Sequence, residues 1–88
     1  MKWKLMFSSD AEKALSKMDV HTSKMIVSWL MKYINNCDNP RIYGKALVGT
    51  KKDYWRYRIG SYRAIAEIHD NTVSIDIINI GHRRQIYR

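Results

Sequence analysis

Cysteine occurs once in the 88 residues, at position 37, and proline once, at position 40. A lone thiol forms no internal disulfide, so no covalent staple holds this chain, and a reducing cytoplasmic setting suits it. No motif surrounds Cys37, which reads as a structural thiol rather than a nucleophile. Apolar runs are short. None approaches the roughly 20 residues of a membrane span, and the first ten residues lack the apolar stretch of a secretion signal. A soluble, cytoplasmic protein with no membrane partner is expected. His21, His69 and His82 show no ligand spacing and no carboxylate pair stands with them, so no metal site is expected. The four glycines are scattered among turns and build no nucleotide-binding loop, so no cofactor is expected either.

Acidic side chains are scarce. Eight Asp and Glu face sixteen Lys and Arg, a net charge of +8, and the excess is uneven. Residues 1–40 carry six basic and four acidic side chains, residues 41–88 ten and four, so the halves stand at +2 and +6. An excess concentrated in one half suits a polyanionic partner, nucleic acid or an acidic protein. Hydrophobic residues at 45% and ten aromatics (three Trp, six Tyr, one Phe) still provide for a packed core. The length sets one domain, residues 1–88.

Trp3, Leu5 and Phe7 alternate with Lys2, Lys4 and Met6, the period-two pattern of a half-buried strand. Ser9 three residues before Glu12 has the form of a capping box, and Ala11, Ala14, Leu15 and Met18 follow at helical spacing. A longer helix is predicted over 20–36, with Ile26, Val27, Leu30, Met31, Tyr33 and Ile34 on its apolar side, stopped by Asn39 and Pro40. Residues 41–53 read as a basic connecting loop with a short strand at 45–48. Three β-type stretches follow, 54–59, 62–69 and 72–80, joined by Gly60-Ser61 and Asp70-Asn71, links of the length that closes tight hairpins. The fold class is α+β: an N-terminal strand and two helices packed on one face of an antiparallel sheet.

The hairpins also sort the side chains. A two-residue turn at Gly60-Ser61 sets Arg58 opposite Arg63 and Arg56 opposite Ile65. A two-residue turn at Asp70-Asn71 sets Glu67 opposite Ser74 and Ile65 opposite Asp76. One face then gathers Trp55, Tyr57, Ile59, Tyr62, Ala64, Ala66, Ile68, Val73, Ile75 and Ile77, a core. The other gathers Tyr54, Arg56, Arg58, Arg63, Ile65, Glu67, His69, Ser74 and Asp76. Like charges opposed across a sheet destabilise it, whereas guanidinium groups match phosphate oxygens in a bidentate fork. The arginine face therefore points to phosphate, with Glu67 and Asp76 able to neutralise part of it. The tail His82-Arg83-Arg84-Gln85-Ile86-Tyr87-Arg88 adds three arginines, a histidine and a tyrosine.

The run Tyr57-Arg58-Ile59-Gly60-Ser61-Tyr62-Arg63, followed by Ile80-Gly81-His82-Arg83-Arg84-Gln85-Ile86-Tyr87-Arg88, resembles the C-terminal half of RelE-like toxins of the RelE/ParE superfamily. The order strand, helix, helix, sheet agrees over the whole chain. The resemblance implies a microbial ribonuclease-like fold and the toxin of a type II toxin–antitoxin system. Its implied activity is metal-independent endoribonuclease: the 2′-hydroxyl attacks the adjacent phosphate of mRNA at the ribosome. Arg58, Arg63, Arg83 and Tyr87 are the implied catalytic residues, Tyr87 activating the 2′-hydroxyl, Arg58 and Arg63 holding the phosphorane, and Arg83 assisting the leaving oxygen. Arg56 belongs to the family's basic strand pair; Lys51, Lys52, Arg84 and Arg88 complete the expected RNA contacts. Some relatives carry lysines where this chain has Arg56 and Arg58. Arginine scarcely exchanges protons, so both are expected to stabilise charge, and His82, of the residue type suited to proton transfer near neutrality, is the reserve acid or base. The implied partners are a cognate antitoxin, mRNA with the ribosome, and operator DNA through the toxin–antitoxin complex. Two other readings stand beside it: a ParE-like inhibitor of gyrase, and a non-catalytic nucleic-acid-binding module.

Overall fold

In a computed structural model, residues 2–47 and 54–82 are described, and every structural statement below concerns them. The order is β1 (Lys4–Phe7), α1 (Ser9–Lys17), α2 (Val20–Tyr33), β2 (Lys45–Ala46), β3 (Tyr54–Ile59), β4 (Tyr62–His69), a 3-10 turn (Asp70–Thr72) and β5 (Ser74–His82). The five strands form one sheet in the order β1-β5-β4-β3-β2. Neighbouring strands from β5 to β2 run antiparallel. The exception is β1, which lies parallel to β5, Lys4 beside Ser74 through Phe7 beside Ile77. The expected antiparallel sheet is thus mixed, because β1 joins it through a helical crossover rather than a hairpin.

α1 begins one residue earlier than its sequence signature implies. Ser8, not Ser9, is the cap, its hydroxyl accepting from the Ala11 N–H at 3.1 Å. α2 is capped by Asp19, which accepts from the Thr22 N–H at 2.9 Å. It ends at Tyr33 rather than Asn36. Asn36 adopts φ 61°, a left-handed conformation that asparagine tolerates. Its N–H then donates to the Trp3 carbonyl at 2.8 Å, while the Trp3 N–H donates to the Cys37 carbonyl at 3.0 Å. The early stop of α2 therefore ties the chain back against the N-terminal strand.

The core lies between helices and sheet. Ala11, Ile26, Leu30 and Ile34 meet Tyr57, Ile59, Ala64, Ala66, Ile75, Ile77 and Ile80. Each large aliphatic side chain removed from water contributes about 1.5–3 kcal/mol. Trp29, Tyr33, Tyr43 and Tyr57 form an aromatic cluster beside this core, with ring centroids 5.1–6.0 Å apart. The Tyr57 hydroxyl donates to the Pro40 carbonyl at 2.8 Å and the Trp55 Nε1–H to the Tyr43 carbonyl at 2.7 Å. These contacts hold the segment before β2 against β3. No described helix is long and apolar enough to cross a membrane.

The first hairpin matches the sequence reading: Arg58 pairs with Arg63, Arg56 with Ile65 and Ile59 with Tyr62. Gly60 has φ 59° and Ser61 no positive φ, the pattern of a type II′ turn. The second hairpin differs. Its link is the 3-10 turn plus Val73 in the left-handed region, so Glu67 pairs with Asp76 and His69 with Ser74. From Ser74 to Ile77 the register moves by two residues from the expected one, and an even shift leaves both faces unchanged there; beyond it Ile65 pairs with Asn79 rather than Asp76.

Candidate functional site

The helix-free face of the sheet carries the cations. β3 contributes Arg56 and Arg58 on one side of its pleat, and β4 sets Arg63 directly across from Arg58. β2, two residues long, sets Lys45 across from Arg56. Two like-charged cross-strand pairs thus stand side by side, an arrangement that costs stability unless an anion relieves it. Together with Gly44 these four side chains line a cavity of about 210 Å³.

Gly44 permits that cavity to exist. Its φ is 80°, and a Cβ there would run into the Arg56 carbonyl and stand 2.7 Å from the Trp55 Nε1. Only glycine lets β2 lie this close to β3. Neither Gly44 nor Lys45 emerged as a site residue from the sequence. The signal was a glycine directly before a short basic strand, which a loop reading absorbs.

The three arginines differ in freedom. Arg58 is exposed and Arg56 half-buried. Arg63 is 7% exposed, and its Nη1 donates to the Tyr62 carbonyl at 2.9 Å and the Gly60 carbonyl at 3.2 Å. The turn carbonyls therefore fix the Arg63 guanidinium before any ligand arrives, which lowers the cost of ordering it. No ion pair among the described residues reaches Arg58 or Arg63.

The acids expected to share this charge sit elsewhere on the face. Glu67 lies opposite Asp76 and 3.6 Å from His69. Partial burial pushes the Asp76 carboxyl above the usual range; the nearby Glu67 charge adds to this and His69 offsets part of it. The face is thus polarised, with cations at the β2–β3–β4 end and carboxylates on β4 and β5, away from the Arg58–Arg63 pair.

His82 is not brought to the arginines. Its partner in register is Tyr62, whose neighbours belong to the core. The two rings meet edge-on at 5.6 Å on the helix-bearing side of the sheet. The reason is a bulge in β5: Ala66 pairs with Ile77 but Ile65 with Asn79, leaving Ile78 unmatched and reversing the facing beyond it. Arg83, Arg84, Tyr87, Arg88, Lys51 and Lys52 lie outside the described residues. Cys37 is a weak nucleophile here, because burial pushes its thiol up from the ordinary range. Among the described residues no three His, Cys, Asp or Glu side chains stand close enough to hold a metal ion.

The comparisons agree with this architecture. The model of the ParE toxin family of type II toxin–antitoxin systems matches residues 5–87. A RelBE2 toxin–antitoxin complex from Mycobacterium tuberculosis contains a chain that superposes with TM-score 0.83 at 22% identity, covering 94% of this chain and 93% of that one. The intact RelBE complex of Escherichia coli gives 0.72 at 23% identity, with 91% and 95% covered. The RelE–RelB complex of Pyrococcus horikoshii gives 0.69 at 22%, with 97% and 99% covered. No curated protein sequence matches the chain. The chain belongs to the ParE toxin family, within the RelE/ParE superfamily, and its fold is that of the RelE toxins.

Proposed function

We propose that this toxin is an endoribonuclease that cuts mRNA at the ribosome without a metal ion. The observation that carries this reading is the doubled like-charge pairing, Arg58 with Arg63 and Lys45 with Arg56, around one cavity. Four cations held together against their mutual repulsion suit a pentacoordinate phosphate, whose charge exceeds that of the ground state. In the reaction the 2′-oxygen loses its proton and bonds to phosphorus. The bond to the 5′-oxygen breaks, and that oxygen takes up a proton. A 2′,3′-cyclic phosphate and a 5′-hydroxyl result, and no outside reactant is consumed.

Within this reading Arg58 and the preorganised Arg63 hold the phosphorane, and Arg56 with Lys45 holds the flanking backbone. Lys51, Lys52, Arg84 and Arg88 add phosphate contacts. Tyr87 takes the 2′-hydroxyl proton, and Arg83 stabilises the leaving oxygen. His82 drops from acid–base service because its register partner is Tyr62. A cognate antitoxin that folds over the basic surface restrains the enzyme; the relatives from M. tuberculosis, E. coli and P. horikoshii occur as complexes with antitoxins. Operator DNA is bound through that complex.

A second reading, inhibition of gyrase without RNA chemistry, draws on the ParE description of the matching family. Primer extension on mRNA in translating ribosomes separates the two, with the wild-type chain beside Arg58→Ala, Arg83→Ala and Tyr87→Phe. Discrete cuts inside reading frames, lost in all three variants, are expected. A folded, antitoxin-free protein that makes no cuts, yet blocks supercoiling by gyrase, overturns the ribonuclease reading.

A further inference from the structure

Simple alternation along β5 sends Ile75, Ile77, Asn79 and Gly81 toward the helices, leaving Ile78, Ile80 and His82 among the arginines. The structure does the reverse beyond Ile77. Ile80 is 3% exposed within the core, Gly81 pairs with Arg63, and His82 pairs with Tyr62. The inserted residue Ile78 produces this inversion, and a bulge leaves backbone groups outside the ladder that need partners. Ser8 supplies one. While its N–H continues the β1–β5 ladder on the Ile77 carbonyl at 2.9 Å, its hydroxyl donates to the Ile78 carbonyl at 2.9 Å. The same oxygen accepts from the Ala11 N–H at the start of α1. On the far side of the bulge, Asn79 Oδ1 accepts from the Ile80 N–H at 2.9 Å.

We propose that Ser8 is a positioning residue for the arginine site: its hydroxyl proton holds the bulge at Ile78 and thereby selects Gly81, rather than a residue with a side chain, as the cross-strand neighbour of Arg63. The inference rests on the reading of the arginine face as the RNA site. Gly81 gives Arg63 a neighbour without bulk, and the Arg63 guanidinium turns to the Tyr62 and Gly60 carbonyls. Loss of the bulge would shift the last strand residues by one position, setting Ile80 opposite Arg63 and turning His82 to the arginine face. Ser8 thus acts from 70 residues away in sequence, through the turn of backbone that β5 and α1 share.

A helix cap alone needs only an acceptor at position 8; the bulge needs a donor as well. Asp and Asn are both good caps, but ionised Asp has no proton to give, whereas Asn has an N–H. The test compares Ser8→Asp, Ser8→Asn and Ser8→Thr. Backbone NOEs between Arg63 and Gly81 and between Ile65 and Asn79 report the register; cleavage of an RNA oligonucleotide in translating ribosomes reports the site. Ser8→Asn and Ser8→Thr are expected to keep both NOEs and wild-type cleavage. Ser8→Asp is expected to keep its melting temperature within a few degrees, lose or split the NOEs, and lower kcat roughly tenfold at nearly constant KM, the scale of one lost hydrogen bond. A Ser8→Asp variant with a single native NOE set and full kcat overturns the proposal. So does one that fails to fold, because the proton would then serve the fold and not the site. Where the wild-type chain itself cuts no RNA, the ribonuclease reading fails, and the NOE comparison still decides whether Ser8 sets the register.

Discussion

Among the described residues Tyr57 is the largest fully buried side chain, and its hydroxyl donates to the Pro40 carbonyl. Burial drives its pKa far above the ordinary phenol value, so it stays protonated at any working pH. Tyr57→Phe is expected to cost about 1–3 kcal/mol in urea unfolding, because it orphans a buried acceptor. Two carboxyls have opposite pH signatures. Asp76 is raised by burial, so the native chain binds its proton more tightly than the unfolded chain, and stability falls as pH rises from the ordinary carboxylate range through the raised value. Asp76→Asn is therefore expected to be more stable than wild type at about pH 7, the gain vanishing toward about pH 3. Asp70 is lowered, first by its hydrogen bonds from Arg41 and then by that guanidinium's charge, so its contribution is present above the ordinary range and lost as pH falls through the lowered value. Asp70→Asn is expected to lose that acid-limb dependence in the same titration of unfolding midpoints.

The elements show which features the residues announced and which they concealed. β3 and β4 were legible because Gly60-Ser61 fixes a register, and the register fixes the faces; Arg58 opposite Arg63 follows from nothing else. The link after β4 was misread, since the left-handed residue is Val73, a β-branched side chain that pattern reasoning never assigns to φ 50°. Left-handed backbone costs such a residue about 1–2 kcal/mol. Val73→Asn is expected to raise the melting temperature by several degrees in a calorimetric scan, at roughly 4–8 °C per kcal/mol gained. The bulge at Ile78 was concealed because no glycine or proline marks it; it is held by Ser8, remote in sequence, and it moved His82 off the arginine face. β2 was half legible. Its strand was expected, but the cavity depends on Gly44, whose tolerance for φ 80° shows only when β3 lies beneath it. Gly44→Ala is expected to lower the melting temperature and to weaken RNA binding together, as Lys45 is driven away from Arg56.

At the scale of the molecule the net charge of +8 is general, but the contacts proposed to hold phosphate are few and placed. Binding of a single-stranded RNA oligonucleotide through Lys45, Arg56, Arg58 and Arg63 alone should make log Kd rise with log salt at a slope of roughly 3, about 0.7 per phosphate contact. Arg58→Ala is expected to flatten that slope by about 0.7. An exposed lysine of α1, such as Lys13, changed to Ala should leave it alone. Fluorescence titrations at several salt concentrations distinguish these outcomes: an unchanged slope in Arg58→Ala would remove that residue from the phosphate path. The charge excess in the second half of the chain was legible from counting. The polarity of the face, cations toward β2 and carboxylates on β4 and β5, needed the true register of the second hairpin.

The pairing of β1 with β5 carries a consequence for synthesis. The fourth residue of the chain finds its strand partner at the seventy-fourth, so the sheet remains without one edge until β5 has been synthesised. A nascent chain holds both helices and the β3–β4 hairpin with no strand to join them to β1, and such long-range pairing is slow to form. Assembly of the native sheet thereby waits on the strand made after all its other elements.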